Sequence, residues 1–301
     1  MITARAFAKI NLDLRIVGVQ AGGYHELRTT FQSIALHDVL TFVPARGPFV
    51  IESDDPGCPA HGNIVERAAV CLWQAAGQTG FPAGVRVRID KRIPIAAGLG
   101  GGSADAAAAL HALARLWGVR LTTTSMYEIA ASLGADVPFF LQGGTARGRG
   151  RGDVLSRLPD RPRRWVVVAT PPFGVSTAEA YRWFDEATLK GSPHERSVGR
   201  PFQGRRRPHD IQGRRLFNDL QPPVVARHPE IGALVEQLKR AGASQAAMSG
   251  SGSAVFGLFT RRPDAEAAAD ALVGHGYRII VTRTLSMREH HRLSRLVLAR
   301  K

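Results

Sequence analysis

The chain has 301 residues, 44% of them hydrophobic and 22% charged, with a formal net charge of +15. That balance excludes a disordered chain and supplies enough apolar residues for a sizeable core, in one large domain or two ordinary ones. Two cysteines, Cys58 and Cys71, match no zinc or CxxC spacing, which argues against a disulfide scaffold and for a reducing compartment.

Along the chain, Ile10, Leu12 and Leu14 alternate with Asn11, Asp13 and Arg15, which predicts a half-buried strand with the polar set on its solvated face. Gly22-Gly23 marks a turn, and 27–42 reads as further strand. A helix is expected over 63–74, where the apolar surroundings of Cys71 predict a buried free thiol. Val85, Val87 and Ile89 alternate into another strand. The run Gly98-Leu99-Gly100-Gly101-Gly102-Ser103 precedes an Ala-rich helix over 104–117, and 124–133 forms a shorter helix broken at Gly134-Ala135-Asp136-Val137-Pro138. The Arg- and Pro-rich stretch 159–164 is the expected boundary between domains 1–160 and 161–301.

The second half reads as a strand at 166–169 and a helix over 177–186. A basic loop (190–215) follows, then an amphipathic helix through Ile231, Leu234, Val235 and Leu238. Strands at 245–248 and 254–259 flank Ser249-Gly250-Ser251-Gly252-Ser253. A helix at 263–272 and a strand at 277–282 complete a pattern like part of a split βαβ unit. The N-terminus lacks the apolar core of a signal peptide, and no apolar run reaches the roughly 20 residues of a membrane helix, so a soluble, cytoplasmic protein without membrane partners is expected.

Much of the positive charge sits in two arginine clusters, at 147–164 and 196–215. Nucleic acid, an anionic small molecule or a plain basic surface would each account for it. Nucleic acid is the weaker reading, because neither interleaved aromatics nor a known binding module is evident.

The glycine loop carries the strongest chemical signal. Glycines let the backbone approach a ligand, and free N–H groups at a helix N-terminus attract phosphate. Ser103 could cap that helix or help hold a phosphate or metal ion. The loop is neither a P-loop nor a dinucleotide fingerprint, since no Gly-Lys-Ser/Thr follows and Ser103 replaces a third glycine. The second Gly/Ser turn, at 249–253, fits a plain hairpin as well as a ligand contact. Lys9 on a strand and Asp136 beside an apolar run would, alone, read as a solvated lysine and a turn aspartate. Phosphoryl transfer gives them a joint purpose, because it needs a proton acceptor and positive charge near the phosphoryl. Tyr24-His25 by itself reads as a hairpin tip.

Together, Ala8-Lys9-Ile10-Asn11-Leu12, Gly22-Gly23-Tyr24-His25-Glu26-Leu27, the stretch from Pro94 to Ser103, Gly134-Ala135-Asp136-Val137-Pro138-Phe139 and Gly250-Ser251-Gly252 resemble the GHMP kinases. This is the superfamily of galactokinase, homoserine kinase and mevalonate kinase. Within it they are similar to the branch whose acceptor is a cytidine-diphosphate-linked methylerythritol. The resemblance implies an α+β, two-domain GHMP kinase fold. Its N-terminal half would be ribosomal S5 domain 2-like and its C-terminal half ferredoxin-like, with ATP in the cleft between them. It implies transfer of phosphate from ATP, with Mg2+, to the 2-hydroxyl of the acceptor, in the non-mevalonate route to isoprenoid precursors. By position, Asp136 would be the catalytic base and Lys9 its activating partner. Gly98, Leu99, Gly100, Gly101, Gly102 and Ser103 would hold phosphate. Asn63, Lys91 and Pro94 would lie on the nucleotide side. Asn11, Tyr24, His25, Asp136, Thr177 and Tyr181 would meet the substrate, with His25 at the cytosine edge and the two tyrosines stacking on its faces. No protein cluster of metal ligands is expected, and the chain would act as a monomer or homodimer. Ala96-Ala97 stand where the family often has glycine, which should stiffen the loop entrance.

Two rival readings carry different expectations. Another GHMP kinase, acting on homoserine or mevalonate, would have no use for a cytosine-reading pair. A noncatalytic nucleotide- or RNA-binding protein would keep its function without Asp136 and would bind with a steep salt dependence.

Overall fold

The computed structural model describes residues 1–19, 23–189, 216–274 and 276–298. Gly22 and the basic stretch 190–215 lie outside the described residues.

The chain opens with β1 (Ile2–Val19) and β2 (His25–Pro48), a long antiparallel pair with Lys9 opposite Ser33 and Asn11 opposite Phe31. Register shifts fall between Phe7 and Lys9 and again between Asn11 and Asp13. Such bulges re-aim side chains. Ile2, Ala4 and Ala6 join one apolar cluster, whereas Ala8, Ile10 and Leu12 join another that includes Val166 and Phe256. The predicted solvated face therefore fails at Asn11, which is buried, because β1 is covered on both sides where the two clusters meet.

Next come β3 (Val50–Ser53), α1 (Ile64–Ala75) and β4 (Ala83–Asp90). Asn63 caps α1, its Oδ1 accepting from the Val65 N–H at 2.9 Å. Cys71 is only half-buried on α1, contrary to expectation, while Cys58 is buried; both are free. Then follow α2 (Gly101–Trp117), α3 (Thr123–Leu133), α4 (Val137–Gln142), β5 (Thr145–Gly150) and β6 (Val154–Arg157). Part of the first arginine cluster thus forms a hairpin whose β5 pairs with β2.

The second half contains β7 (Trp165–Thr170), α5 (Thr177–Leu189), β8 (Phe217–Asn218), α6 (Gln221–Arg227), α7 (Pro229–Arg240), β9 (Gln245–Met248), β10 (Val255–Phe259), α8 (Arg262–Asp270), β11 (Arg278–Arg283), α9 (Met287–Leu293) and β12 (Val297–Leu298). The first sheet runs β12–β1–β2–β4–β3, with β8 on β1 and β5–β6 attached to β2. The second runs β11–β7–β10–β9, antiparallel throughout, which is the strand order of a ferredoxin-like unit. The expected α+β architecture is therefore present. Among the described residues, no helix is long and apolar enough to cross a membrane.

Candidate active site

The glycine run does not end before the helix; it enters it. Gly100, in the left-handed region at φ +72°, is the N-cap, and Gly101, Gly102 and Ser103 form the first turn of α2. Ser103 is therefore inside the helix rather than its cap, and no side chain caps this end. The first turn also holds no acidic residue. Its unpaired N–H groups and the positive end of the helix dipole thus remain open to an anion. Glycine at 98 is a packing requirement: φ is +74°, and a Cβ there would lie 2.1 Å from the Ser249 carbonyl oxygen. Ala96 adopts φ +52°, a conformation uncommon for a residue with a side chain.

Loops from both sheets close on this point. Lys9 N–H donates to the Leu99 carbonyl at 3.0 Å, and Ala254 N–H to that of Ala97 at 3.1 Å. Ser249 Oγ donates to the Gly98 carbonyl at 3.0 Å and accepts from Asn11 N–H at 3.3 Å. Gly250 lies at φ +57°, and a Cβ there would stand 3.1 Å from the Gly98 carbonyl oxygen and 3.3 Å from both Lys9 Nζ and Asn11 Oδ1, so this turn is glycine for its backbone conformation and its close approach. Thr177 Oγ1 meets Ser251 Oγ at 3.1 Å.

Lys9, only 3% exposed, donates from Nζ to Asn11 Oδ1 at 2.6 Å and lies 3.3 Å from Asp136 Oδ2. Asn11 in turn donates from Nδ2 to Thr29 Oγ1 at 2.7 Å. Asp136 occupies the N-cap of α4 but its side chain makes no cap bond. The break after α3 therefore presents the carboxylate to Lys9 rather than to the backbone, and a third of the side chain stays open to the cleft.

These groups share a cavity of about 1090 Å³. Asn63, Pro94, the glycine loop, Tyr24, His25, Thr177 and Tyr181 line it as well. The structure thus brings the sequence-derived site residues around one cleft, with two qualifications. Asn63 is engaged as the α1 cap, and its Nδ2 donates to the Pro59 carbonyl at 3.1 Å. His25 occupies the stacking position on Tyr181, with ring centroids 4.7 Å apart and 25° between planes, and its Nε2 bonds Asp185 Oδ1 at 2.7 Å. Burial pushes the Tyr181 hydroxyl above its ordinary pKa, with the charge of Asp136 adding to the effect.

Lys91 is held on the cleft wall by two carboxylates that sequence reasoning missed. Its Nζ donates to Asp38 Oδ2 and, at 2.7 Å, to Asp105 Oδ2. Asp38 Oδ1 also accepts the N–H groups of Arg92 at 2.6 Å and Ile93 at 2.8 Å, whereas Asp105 Oδ1 is buried without a partner. Burial pushes the Asp105 carboxyl up to about 8, with Lys91 pulling the other way and Asp38 adding to the rise. Burial opposes the charge on Lys91, but the two carboxylates outweigh it and raise its pKa. An aspartate inside an apolar strand, at 38, and another inside an Ala-rich helix, at 105, were the available signals. Arg151 and Arg182 also line the cleft unforeseen.

The GHMP kinases N terminal domain model matches residues 63–144, and the GHMP kinases C terminal model matches 205–278. A 4-diphosphocytidyl-2-C-methyl-D-erythritol kinase from Pelotomaculum thermopropionicum is 43% identical over 96% of this chain and 99% of its own length. Its counterpart from Moorella thermoacetica is 42% identical over 95% and 99%. The crystal structure of a 4-(cytidine 5'-diphospho)-2C-methyl-D-erythritol kinase superposes with a TM-score of 0.74 at 33% identity, covering 94% of this chain and 98% of that one. A mevalonate kinase structure, at 13% identity and a TM-score of 0.64, shares the fold. With likeness this extensive along both halves, the chain belongs to the GHMP kinases, in the family of 4-diphosphocytidyl-2-C-methyl-D-erythritol kinases.

Proposed function

We propose that the chain moves the γ-phosphoryl group of ATP onto the 2-hydroxyl of 4-(cytidine 5'-diphospho)-2-C-methyl-D-erythritol, giving the 2-phosphate and ADP in the non-mevalonate route to isoprenoid precursors. The observation that carries this reading is the Lys9–Asp136 pair, 3.3 Å apart, in the same cleft as the uncapped start of α2. On this proposal residues 1–160 supply the phosphate loop and the base, and 161–301 close the cleft.

The first-turn N–H groups of Gly101, Gly102 and Ser103 receive the β- and γ-phosphates, with the helix dipole favouring their charge. Asp136 accepts the proton of the attacking hydroxyl through the oxygen that faces the cleft. Lys9 holds that carboxylate in place and lends positive charge beside the transferring phosphoryl. Asn11, by fixing Lys9 Nζ, sets the direction of the pair. Ser103 Oγ, in the first turn of α2, is the side chain that would help hold a magnesium ion bound with the nucleotide, where the ion would offset phosphate charge. Among the described residues no group of three His, Cys, Asp or Glu forms a metal cluster, so such an ion would be held mostly by phosphates and water. Asn63, Lys91 and Pro94 would border the nucleoside. Tyr24 and Tyr181 flank the acceptor's pyrimidine, and His25 turns from Tyr181 to the edge of the base. Thr177, tied to Ser251, lies along the diphosphate.

The test is ADP release by the purified chain with the cytidylyl acceptor, beside homoserine and mevalonate. Turnover confined to the cytidylyl compound supports the proposal. Turnover only with another alcohol would keep a kinase and remove the pyrimidine reading. Silence with all three would favour noncatalytic binding.

A further inference from the structure

A second cavity, of about 770 Å³, opens at the far end of α2 from the phosphate loop. Its polar wall is His111, Arg115, Arg120, His290, His291 and Arg295, and none of its lining residues is a carboxylate. Arg115, Arg120 and Arg295 form no ion pair with any carboxylate among the described residues. Deeper in, two polar atoms are buried without a partner: His290 Nδ1 and Ser294 Oγ. His290 is 3% exposed, and its Nε2 donates to the Phe140 carbonyl at 3.2 Å, which leaves Nδ1 as the unpaired acceptor. Val119, Leu141 and Leu296 supply an apolar side to the same space.

Each feature is costly or idle in an empty cavity. A buried, unpaired ring nitrogen and hydroxyl cost free energy, and the exposed guanidinium groups at the opening have no carboxylate partner among the described residues and are free to take an anion. All are accommodated by one class of guest. Guanidinium groups pair with phosphate oxygens, often two at a time. Ser294 Oγ can donate to a further oxygen, and a protonated phosphate oxygen or a ligand hydroxyl can donate to His290 Nδ1. The apolar side suits a hydrocarbon portion.

We propose that this cavity is a second ligand site of the enzyme, taking a small organic phosphate or diphosphate with a short apolar portion. Among the described residues, none lines both this cavity and the catalytic cleft, but Phe140 of the one touches Gly100 of the other. Phe140, whose carbonyl holds His290, packs its ring where a Cβ on Gly100 would come within 2.6 Å.

Pyrophosphate is the probe, applied to the full chain with a nonhydrolysable ATP analogue filling the catalytic cleft and no magnesium present. The imidazole resonances of His111, His290 and His291 are followed by NMR. Saturable shifts at His290 and His291 are expected. The exposed pair Arg115→Gln and Arg295→Gln, combined, should weaken this binding at least tenfold while turnover stays at the parent level. A short alkyl diphosphate should bind at least threefold more tightly than pyrophosphate. Absence of saturable shifts, or equal affinity in the double variant, would overturn the site. An alkyl diphosphate no tighter than pyrophosphate would overturn the assignment of its guest, as would stronger binding of an RNA oligonucleotide at the same resonances.

Discussion

Two lysines face the same cleft and meet carboxylates in opposite ways. Lys9 and Lys91 are equally buried as side chains, at 4% exposure each. Lys9 has one carboxylate partner, Asp136, which is a third exposed and 3.3 Å away. Lys91 has two, Asp38 and Asp105, both sealed from solvent. A carboxylate that is loosely held and open can take a proton from a substrate. A lysine closed between two buried carboxylates is a brace, tying β2 and the segment after β4 to α2 just behind the phosphate loop. Charge pairing alone therefore does not separate a base candidate from a brace; the open side of the Lys9–Asp136 pair does.

The sharpest way to break this comparison is Asp136→Asn. On our reading kcat falls about 10²–10⁴-fold, while stability falls by less than in the Lys91 variant, since Asp136 is a third exposed and Lys9 Nζ keeps its bond to Asn11 Oδ1. A variant with parent turnover would remove Asp136 from its role. Lys91→Met should do the reverse to stability. It strands the buried Asp38 carboxylate and takes the donor from the Asp105 carboxyl, and loss of one member of a buried pair costs about 3–5 kcal/mol; urea denaturation would measure it. A loss below 1 kcal/mol would show that the brace carries little.

Acidity sharpens the contrast further. Asp105 carries a folded-state pKa raised from 3.8 to about 8, so the folded chain holds that proton more tightly than the unfolded one. Its contribution is fully present below the ordinary value and is lost as pH rises through about 8. The wild type should lose stability relative to Asp105→Asn across that window, as read by denaturation at several pH values, and parallel curves would contradict the shift. The smallest effect is expected at the pyrimidine end. His25→Ala should raise KM for the cytidylyl acceptor about two- to tenfold, in line with a stacking or edge contact of about 0.5–1.5 kcal/mol, and leave kcat near the parent value. An unchanged KM would dismiss the base-reading role.

Local chemistry made much of this protein legible from sequence. The glycine run before an Ala-rich stretch announces a helix start left open at its N-terminus, and 245–248 reads as strand from its apolar run and the Gly/Ser turn after it. The hairpin of β5 and β6 was not legible, because Arg147-Gly148-Arg149-Gly150 reads as charge rather than strand; pairing with β2 decides it. α4 was also missed, since six residues beginning Val137-Pro138 give too little periodicity to separate a helix from a buried run.

By itself, the sequence determined the glycine-rich start of α2 and most regular elements, because these rest on short-range backbone preference, while Lys9 and Asp136 stood out only through their family resemblance and meet only in the tertiary structure. Tertiary structure decided which face of β1 is buried, where Ser103 stands, what Lys91 holds, and that three histidines and three arginines from distant segments line one cavity. Each depends on contacts between residues far apart in the chain. Nothing in the local pattern around Asp38 or Asp105 specifies that they lie on either side of one ammonium group.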